Sequence, residues 1–496
     1  MDMKNKLFIL ACIASLISCR GDSDEKFYQG KVDFPVKPNM GVKEAMAARV
    51  VPYPRQLEWQ KLEMTAFIHF TINTFTDMEW GTGKESPDLF NPVDFDAEQW
   101  VRVLSEAGMK MIIITAKHHD GFCLWPTETT SHSVASSPWR DGKGDVIREL
   151  RDACDRYGMK FGIYLSPWDR NAGSYGDSQA YNRFYMEQLT ELLTWYGKVD
   201  EVWFDGANGE GQGGRKQEYD WQAYYDLIRK LQPDAVTAIM GEDVRWVGTE
   251  TGYGRETEWS VTVLAPGGTP ESKAINDKMG LNAMSEDLGS SDLLQKAESV
   301  YWYPAEVDVS IRPGWFWHAS EDSLVKDVSK LADIYLSSVG RNAVLLLNVP
   351  PNNRGLISDN DIASLQALRK WIDALYGNDL LNGARPYDMK ASNAIDGDNS
   401  TSWSPGKKRV ASFVPAIAAT FNIAMLQEDI SKGQRVEKFI IEAQAGEQWD
   451  TIATGTTIGY KRLIRFPEVR ADEVRLTIVS ARARPYISTF SLFNAD

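Results

Sequence analysis

The sequence predicts an α/β fold, a (β/α)8-type barrel followed by an all-β sandwich domain, and three observations predict it. Apolar runs of strand length alternate with helical patterns through most of the 496-residue chain, as expected when crossover helices join parallel strands. The strand-like runs recur roughly every 40 residues, which is near the repeat of such a barrel. After about residue 376 the alternation gives way to short strands separated by turns, the pattern of a β-sandwich.

The barrel strands are predicted from the apolar runs, and the helices from the patterns between them. The predicted strands are Thr65–Phe70, Met111–Ala116, Lys160–Ser166, Val202–Asp205, Ala235–Met240 and Ala343–Val349. The predicted helices are Ala97–Ala107, Asp145–Tyr157, Tyr181–Trp195 and Trp221–Leu231. Residues 241–340 are less regular, so the sixth and seventh strands have no firm position. A doubly wound sheet is the alternative, but residues 67–72 lack the glycine-rich phosphate turn that normally follows its first strand.

The domain boundaries lie where these patterns change. The barrel is predicted to occupy residues 51–376 and the sandwich residues 385–496, with the boundary near Gly377–Pro386. From Ala391 onward the strand-like runs are KFIIEA, WDTIATG, KRLIRF, EVRLTIV and ISTFSLF. Runs of this length with turn residues between them are typical of an all-β module.

The N-terminus has the pattern of an export signal. MDMKNK supplies a short basic region, LFILACIASLIS is too short to span a bilayer as a mature helix, and Leu16–Cys19 resembles a bacterial lipobox. We therefore expect residues 1–19 to be a lipoprotein-type signal, with Cys19 lipidated, and residues 20–50 to be a tether and lead-in segment. A plain signal peptide is the alternative. The expected location is the periplasm or cell surface of a Gram-negative bacterium, with the membrane reached through the Cys19 lipid.

The net charge and the cysteine content argue against a nucleic-acid-binding protein and against a zinc site. A net charge of -15 and a pI near 5.0 argue against nucleic-acid binding, which needs a basic face. Of the four cysteines, Cys12 would leave with the signal and Cys19 would carry the lipid. Cys123 and Cys154 remain, and whether they pair cannot be decided from sequence. No Cys/His spacing indicates a zinc site.

Asp205 is the first candidate for chemistry. It lies in VDEVWFDGANGEG, where the strand-like stretch Val199–Phe204 runs into Asp-Gly. The carboxyl ends of barrel strands are where catalytic groups lie. The alternative is that Asp205 only begins a turn, as Asp-Gly often does.

Histidines are scarce, with five in the chain, and three of them lie at the ends of predicted strands. His69 lies near the end of the first strand, and His118 and His119 follow the second. Strand ends meet at one face of a barrel, so these side chains are expected to share a site with Asp205. Adjacent residues in an extended segment point to opposite sides, which argues against a metal ion held by both His118 and His119.

If Asp205 serves in the cleavage of a glycosidic bond, that reaction needs a second carboxyl group beside it. The segment GEDVRWVGTETGYGRETEWSV, residues 241–261, supplies five such groups on a predicted loop at the same face. They are Glu242, Asp243, Glu250, Glu256 and Glu258. Composition does not choose among them.

Several segments together resemble glycoside hydrolase family 29, the α-L-fucosidases. They are FIHFTINTFTDMEWG, AKHHDGFCLWPT, FGIYLSPWDR, EVWFDGANGEG, DVRWVGTETGYGRETEWSV, IRPGWFWH and NAVLLLNVPPNNRGLI, spread over roughly residues 55–370. The resemblance implies that Asp205 is the nucleophile. It implies that Glu250, in Arg245–Glu250 (RWVGTE), is the acid/base. Thr249 stands where Asn is expected, so Glu256 and Glu258 stay in reserve.

The resemblance also implies a fucose subsite and no cofactor. The residues it places there are His69, Glu79, Trp80, His118, His119 and Tyr164, with Arg255 and Trp315 as neighbours. Core packing is the alternative role for Trp80 and Trp315. The implied reaction is double displacement, and the branch with a RWVGNE-like segment acts on α-1,3/1,4-linked fucose of fucosylated oligosaccharides. An α-L-galactosidase, or a glycan-binding protein without turnover, are the alternatives.

The C-terminal module carries a second resemblance. Residues 391–403, ASNAIDGDNSTSW, resemble the A-x-DG-x-x-x-T-x-W signature of discoidin-like (F5/8 type C) sandwiches. The resemblance implies a carbohydrate-binding or bracing module that sometimes holds a structural calcium ion. Whether this module binds sugar stays open at the level of sequence.

Overall fold

A computed structural model describes residues 26–211, 214–418 and 420–495. The expected signal, Cys19 and the first residues of the tether lie outside these ranges. Within them, no helix is both long enough and apolar enough to cross a bilayer. The described part of the lead-in segment forms two short strands and a helix. Its side chains Val32 and Val50 are buried in a cluster with Trp302 and Ile430.

The N-terminal domain is a parallel (β/α) barrel. Its strands, with those of the segments packed beside it, are β1 Tyr28–Gln29, β2 Lys31–Asp33, β3 Val50–Val51, β4 Met64–Ile68, β5 Met111–Lys117, β6 Lys160–Leu165, β7 Glu201–Phe204, β8 Val236–Ile239, β9 Arg245–Trp246, β10 Val261–Thr262, β11 Ser299–Trp302, β12 Ala305–Ser310 and β13 Ala343–Asn348. Eight of these pair in parallel in the order β8-β7-β6-β5-β4-β13-β12-β9. A parallel bridge between Ala238 and Val244 joins the two outer strands. The predicted barrel is therefore confirmed, and β9 and β12 are the strands that the sequence left unplaced.

The helices of the same domain mostly cover the outside of the barrel. They are α1 Met40–Ala47, α2 Pro54–Gln60, α3 Asn73–Thr76, α4 Ala97–Glu106, α5 Val146–Tyr157, α6 Ser178–Trp195, α7 Trp221–Leu231, α8 Pro270–Met279, α9 Ser291–Lys296, α10 Val328–Ser338 and α11 Asp359–Tyr376. Helix α5 shows why they form where predicted. The Asp145 side chain accepts from the Arg148 N–H at its start, and Gly158 ends it in the left-handed region at φ +65°.

Strand β5 shows why the barrel strands read as continuous apolar runs. All seven of its residues are buried. Ile112 and Ile114 face the layer between strands and helices, and Met111 and Ile113 face the interior of the barrel. Successive side chains point to opposite faces of a strand, and both faces of a parallel sheet are covered. Cys123 and Cys154 are both buried as free thiols, which answers the open question of their pairing.

The C-terminal domain is a sandwich of two antiparallel sheets. Its strands are β14 Arg385–Pro386, β15 Val410–Val414, β16 Thr420–Glu428, β17 Val436–Ala445, β18 Gln448–Gly455, β19 Arg462–Arg470, β20 Glu473–Ala481 and β21 Ile487–Phe493. They pair in the orders β14-β15-β20-β17-β18 and β19-β16-β21. Phe413 and Leu476 from the first sheet share a buried core with Phe421 and Phe490 from the second, as predicted for this part of the chain.

A buried ion pair fixes the segment that follows β12. The Arg312 guanidinium donates from Nε to Asp361 Oδ1 at 3.0 Å and from Nη2 to Asp361 Oδ2 at 2.6 Å, and both side chains are fully buried. We expect Asp361→Asn to lower the free energy of unfolding by about 3 kcal/mol, because it removes the buried carboxylate and leaves Arg312 with the partly exposed Asp322, 2.9 Å away, as its counter-charge. Urea unfolding measures this. The exposed Asp359→Asn, in the same helical turn, is the control. Equal effects of the two substitutions would contradict the expectation.

Candidate active site

Asp205 is the first residue beyond β7 and is held by two hydrogen bonds. Its Oδ1 accepts from the Ala207 N–H at 2.7 Å, and its Oδ2 accepts from the Tyr164 hydroxyl at 3.0 Å. The side chain keeps 24% of its surface exposed. Tyr164 is buried, and its ring stacks on Trp203 at 5.2 Å between centroids. The carboxylate is therefore fixed in orientation and open to a ligand.

His69 is buried at the end of β4 in a defined tautomer. Its Nδ1 lies 2.9 Å from Asn348 Oδ1, and the Asn348 amide nitrogen donates to Ser310 Oγ and to the Trp315 carbonyl. Asn348 Oδ1 is thus the acceptor, and His69 Nδ1 carries the proton. Burial lowers the pKa of His69 to about 3. The ring is therefore neutral near pH 7, with Nε2 left as an acceptor.

His118 and His119 lie side by side rather than on opposite sides of a strand. Their ring centroids are 4.1 Å apart, so the expectation that they point apart is wrong. The physical reason is that β5 ends at Lys117 and both residues lie where the chain turns. In residues 26–211, 214–418 and 420–495, no three His, Cys, Asp or Glu side chains are grouped to hold a metal ion.

The hydrogen bonds of His119 orient it toward Asp205. Its Nδ1 lies 2.7 Å from Ser166 Oγ, and that hydroxyl donates to the Trp168 carbonyl, so Nδ1 is the donor to Ser166. Its Nε2 then faces Asp205 Oδ2 at 3.8 Å. Burial lowers the pKa of both His118 and His119. Two acceptors at this separation leave room for a ligand hydroxyl to donate to one of them.

The rim of the cluster that Asp205 and the three histidines form consists of Glu79, Trp80 and Trp315. Glu79 accepts from the Trp315 N–H at 2.9 Å and lies 2.7 Å from His318 Nε2. Trp80 is 57% exposed and meets the His119 ring edge-on at 5.6 Å. The Trp315 ring lies 5.1 Å from that of His69 and is partly exposed. Neither tryptophan is therefore fully buried in the core.

Glu250 is the loop carboxylate that shares a cavity with Asp205. The cavity measures about 440 Å³, and its lining includes Asp205, Trp246, Glu250 and Asp308. Trp315 Nε1 donates to Glu250 Oε2 at 3.3 Å, which joins the loop to the rim. The structure thus brings Glu250 to the site formed by the strand ends.

The two reserve carboxylates have other partners. Glu256 accepts from Arg462 of the sandwich at 2.7 Å and pairs with Arg341. Glu258 is buried and pairs with Arg245 and with Arg255, the latter at 3.4 Å. These are ion pairs within and between the domains, which favours Glu250 over Glu256 and Glu258 as the second carboxylate.

The contacts of Arg255 lie outside the cluster formed by Asp205 and the three histidines. Its guanidinium donates to the Val247 carbonyl at 2.8 Å and to the Ala283 carbonyl, and it pairs with Glu258. These contacts brace the loop that carries Glu250. The structure therefore shows Arg255 holding a loop, whereas the resemblance places it beside the sugar.

The loop beyond Glu250 is fastened to the sandwich. The Glu258 N–H donates to Thr457 Oγ1 at 3.0 Å, and Gln434 bonds both the Glu258 carbonyl and the Ser260 N–H. Arg462 also donates to the Glu256 carbonyl at 2.9 Å. Residues 256–260, here named the clasp segment, therefore belong to both domains.

A pair of buried carboxyls supports the site from inside the barrel. Glu306 Oε1 accepts from Trp203 Nε1 at 2.7 Å, and Glu201 Oε2 accepts from Trp59 Nε1 at 2.8 Å. Burial raises the pKa of both carboxyls, and the charge of Glu201 adds to this rise for Glu306. Both therefore favour the neutral acid near pH 7, and Glu306 positions Trp203 beneath Tyr164.

Sequence reasoning missed Asp308, Asn348 and Trp246. Asp308 is buried in the middle of β12, and Trp246 Nε1 donates to its Oδ1 at 2.7 Å. Asn348 fixes the tautomer of His69 from the end of β13. The signal that was available for Asp308 is the alternation of Glu306, Asp308 and Ser310 in AEVDVS, which puts polar groups on one face of a strand.

The buried histidines predict acid sensitivity of the fold. The unfolded chain binds a proton at His69 near pH 6.5, and the folded chain does so only near pH 3. The unfolded state therefore binds more protons in this window, and stability falls as the pH drops from 6.5 toward 3. We expect His69→Gln to remove about 1.4 kcal/mol per pH unit from this slope, measured by urea unfolding at pH 7, 6 and 5.

His318 supplies the control of opposite sign. Burial opposes its protonation, but hydrogen bonds with Asp77 and Glu79 prevail and raise the pKa of His318. Its contribution is present below pH 6.5 and lost as the pH rises through its raised pKa. His318→Gln is thus expected to steepen the loss of stability as the pH falls from the raised pKa to 6.5, and to leave the slope below pH 6.5 unchanged. A flatter curve in His318→Gln, or an unchanged curve in His69→Gln, would contradict this account.

Comparison with known proteins places this architecture in one family. The family model described as alpha-L-fucosidase matches residues 39–377. The chain is 42% identical to alpha-L-fucosidase 1 of Arabidopsis thaliana, over 89% of this chain and 87% of the plant protein. A solved structure from Bacteroides ovatus, assigned as an α-L-fucosidase, is 54% identical with a TM-score of 0.90, covering 95% of this chain and 79% of that one.

A second similar structure was solved with a ligand. The Ruminococcus gnavus glycoside hydrolase 29 fucosidase in complex with fucose is 31% identical to this chain, with a TM-score of 0.80. The similarity covers 94% of this chain and 97% of that one. Since the family model spans more than half of the sequence and these relatives match nearly all of it, the chain belongs to the α-L-fucosidase family of glycoside hydrolases.

Proposed function

We propose that this family member is a retaining exo-α-L-fucosidase that releases terminal α-1,3- or α-1,4-linked L-fucose from branched glycans. The observation that carries the proposal is the position of Asp205 and Glu250. Both line one cavity at the carboxyl ends of the barrel strands, beside three buried imidazoles. Two carboxyl groups that flank a sugar are what glycosidase chemistry requires.

Asp205 is the nucleophile in this proposal. Its two hydrogen bonds, from Tyr164 and Ala207, orient the carboxylate without covering it. It attacks the anomeric carbon of fucose, and the bond from that carbon to the leaving oxygen breaks. Glu250, protonated at the start, gives its proton to that leaving oxygen. Glu250 then accepts a proton from water, which displaces Asp205 from the anomeric carbon.

The histidine cluster is proposed to bind the hydroxyls of fucose. Because Nδ1 of His69 and Nδ1 of His119 both donate within the protein, their Nε2 atoms are acceptors for ligand hydroxyls. Trp80 and Trp315 offer partly exposed ring faces at the rim, which suit the methyl group of a 6-deoxy sugar. The fucose complex of the R. gnavus relative supports this choice of sugar.

The linkage preference is proposed from the RWVGTE segment and from the room beside the catalytic pair. The resemblance of that segment favours α-1,3/1,4 bonds. A cavity of about 440 Å³ next to Asp205 and Glu250 is large enough for one leaving-group sugar. A branched glycan, with a sugar on each side of the fucosylated residue, would use this space.

The test is fucose release with identification of the first-formed anomer. Trisaccharides of the Lewis type with α-1,3- and α-1,4-linked fucose are compared with 2′-fucosyllactose, and proton NMR follows the anomeric signals. We expect the two Lewis trisaccharides to be hydrolysed faster, with α-L-fucose appearing first. The β anomer appearing first would refute the retaining mechanism. Binding of the trisaccharides without release would favour the glycan-binding alternative, and faster release from an α-L-galactoside would favour the α-L-galactosidase.

We also propose that the chain is exported and lipid-anchored through Cys19, in a Gram-negative envelope. The support is the basic start, the apolar run and the Leu16–Cys19 lipobox pattern. The substitution Cys19→Ala distinguishes a lipoprotein signal from a plain signal peptide. The lipoprotein signal predicts that wild type partitions with membranes and takes up labelled palmitate, whereas the variant does neither. Equal partitioning of both forms would support a plain signal peptide.

A further inference from the structure

Asp308 is a third carboxyl in the cavity of the catalytic pair. It lies on β12 with 3% of its surface exposed, and it lines the cavity together with Asp205 and Glu250. Trp246 Nε1 donates to its Oδ1 at 2.7 Å. Among the described residues, Trp246 and the Asp308 backbone N–H are the donors to this carboxyl. No side chain in the described part of the chain donates to its Oδ2.

The charges around Asp308 are mostly negative. Glu250 faces it from the loop after β9 and Asp205 from the end of β7. Glu306, two residues earlier on the same strand, has a pKa raised well above its usual value and adds no full charge near pH 7. On β13 the register partner of Asp308 is the apolar Leu346. Arg245 on β9 lines the same cavity. Its guanidinium pairs with Glu258 and donates to the Tyr303 and Trp259 carbonyls, and its Nη1 is buried without a partner among the described residues.

This environment favours the neutral acid. Burial, together with the charges of Glu250 and Asp205, raises the pKa of Asp308 to about 7. A carboxylic acid kept neutral by an apolar, anionic site can donate a hydrogen bond that a carboxylate cannot. With Oδ1 accepting from Trp246, the proton belongs on Oδ2.

The rest of the cavity offers few free polar groups. Asn276 bonds the Ala265 backbone through both amide atoms, and the Tyr303 hydroxyl donates to the Gly241 carbonyl. Asn282 Oδ1 accepts from the Met284 N–H. The apolar part of the wall comprises Trp203, Ile239, Met240, Leu264, Ala265 and Ala283. Such a wall suits the apolar face of a sugar ring, and Asp308 can orient that ring.

We propose that Asp308 is a further substrate-contacting residue, which donates a hydrogen bond from its neutral carboxyl to an oxygen of the leaving-group sugar in this cavity. The inference rests on the proposed fucosidase activity. It assigns the polar contact of the leaving group to β12, in a cavity whose lining includes none of His69, His118 and His119. It also makes the ionisation of Asp308 a limit on activity at alkaline pH.

The test compares two substitutions on two substrates. Asp308→Asn keeps an acceptor for Trp246 and an N–H donor in place of the acid, and Asp308→Ala removes both. The substrates are a Lewis-type trisaccharide and α-L-fucosyl fluoride, whose leaving group does not reach the cavity. For Asp308→Ala we expect kcat/KM to fall about 10- to 100-fold on the trisaccharide, and by less than about 3-fold on the fluoride.

The pH profile separates donation from other roles. Asp308→Asn is expected to keep kcat/KM on the trisaccharide within about 3-fold of wild type at pH 6 and to lose the decline near pH 7. A loss in Asp308→Asn as large as in Asp308→Ala would overturn the proposal, because a charged carboxylate would then be required. Equal losses of Asp308→Ala on both substrates would overturn it in favour of a packing role.

Controls distinguish a misfolded variant, a failure of the Asp308 inference and a failure of the proposed function. Trp246→Phe removes the donor to Oδ1 and leaves the acid, so it is expected to retain the pH-dependent decline. If Asp308→Ala does not fold, circular dichroism shows this, and Asp308→Asn with its pH profile decides the question alone. Wild type that hydrolyses the fluoride but shows no Asp308 effect refutes this inference only. Wild type that hydrolyses neither substrate refutes the proposed function as well.

Discussion

Replacing Asp205 with alanine is expected to lower kcat by about 10⁴-fold or more while the protein stays folded. The carboxylate is the group fixed by Tyr164 and Ala207 at the barrel edge, and without it no side chain attacks the anomeric carbon. The measurement is fucose release from a Lewis-type trisaccharide, with thermal unfolding as the check on folding. Asp200→Asn, before the opposite end of β7, is the matched control because Asp200 pairs with Lys160 and Lys198, away from the site.

Azide provides the mechanistic part of this experiment. In Asp205→Ala, azide can enter the vacated space and attack the anomeric carbon of α-L-fucosyl fluoride, which expels fluoride and gives β-L-fucosyl azide. Rescue with that stereochemistry identifies Asp205 as the nucleophile. Retention of more than about a tenth of wild-type kcat without azide would contradict a covalent role for Asp205.

Replacing Glu250 with alanine is expected to lower kcat/KM on the trisaccharide by about 10²- to 10⁴-fold. The loss should be smaller on α-L-fucosyl fluoride, because fluoride leaves without a proton. The second, water-dependent step would then limit turnover, and azide would give α-L-fucosyl azide. Initial rates on both substrates measure the difference.

Glu256→Gln is the matched control for Glu250. Glu256 lies six residues later on the same loop and pairs with Arg341 and Arg462. We expect its replacement to reduce stability at the domain interface and to leave the ratio of rates on the two substrates unchanged. If that ratio changed in Glu256→Gln and not in Glu250→Ala, the acid/base would be Glu256.

The strands that the sequence predicts are those whose two buried faces are mainly apolar. Met111–Lys117 and Ala343–Asn348 are continuous apolar runs because helices cover them outside and other strands face them inside. Arg245–Trp246 gives no such signal, since it is two residues long and begins with an arginine. Ala305–Ser310 carries two acids toward the barrel interior, which makes it resemble a loop in sequence.

The same reasoning separates the site residues. Asp205 and His69 could be placed because strand ends converge in a barrel, whatever the loops do. The orientation of His118 and His119 could not, because it depends on where β5 stops being extended. The partners of Arg255 are backbone carbonyls of Val247 and Ala283, and such contacts leave no pattern in sequence. Asp308 could not be predicted as a site residue, because the sequence did not place the strand on which it lies.

The clasp segment means that the two domains are not separate, exchangeable parts. Glu250 is six residues from Glu256, which the sandwich holds through Arg462, and Thr457 and Gln434 hold Glu258. A barrel cut free after Tyr376, or fused to an unrelated C-terminal module, would lose the anchor of the loop that carries its proposed proton donor. Evolution or engineering can therefore replace the outer strands of the sandwich more freely than Gln434, the turn at Thr456–Thr457 or Arg462, because these residues are part of the active-site architecture.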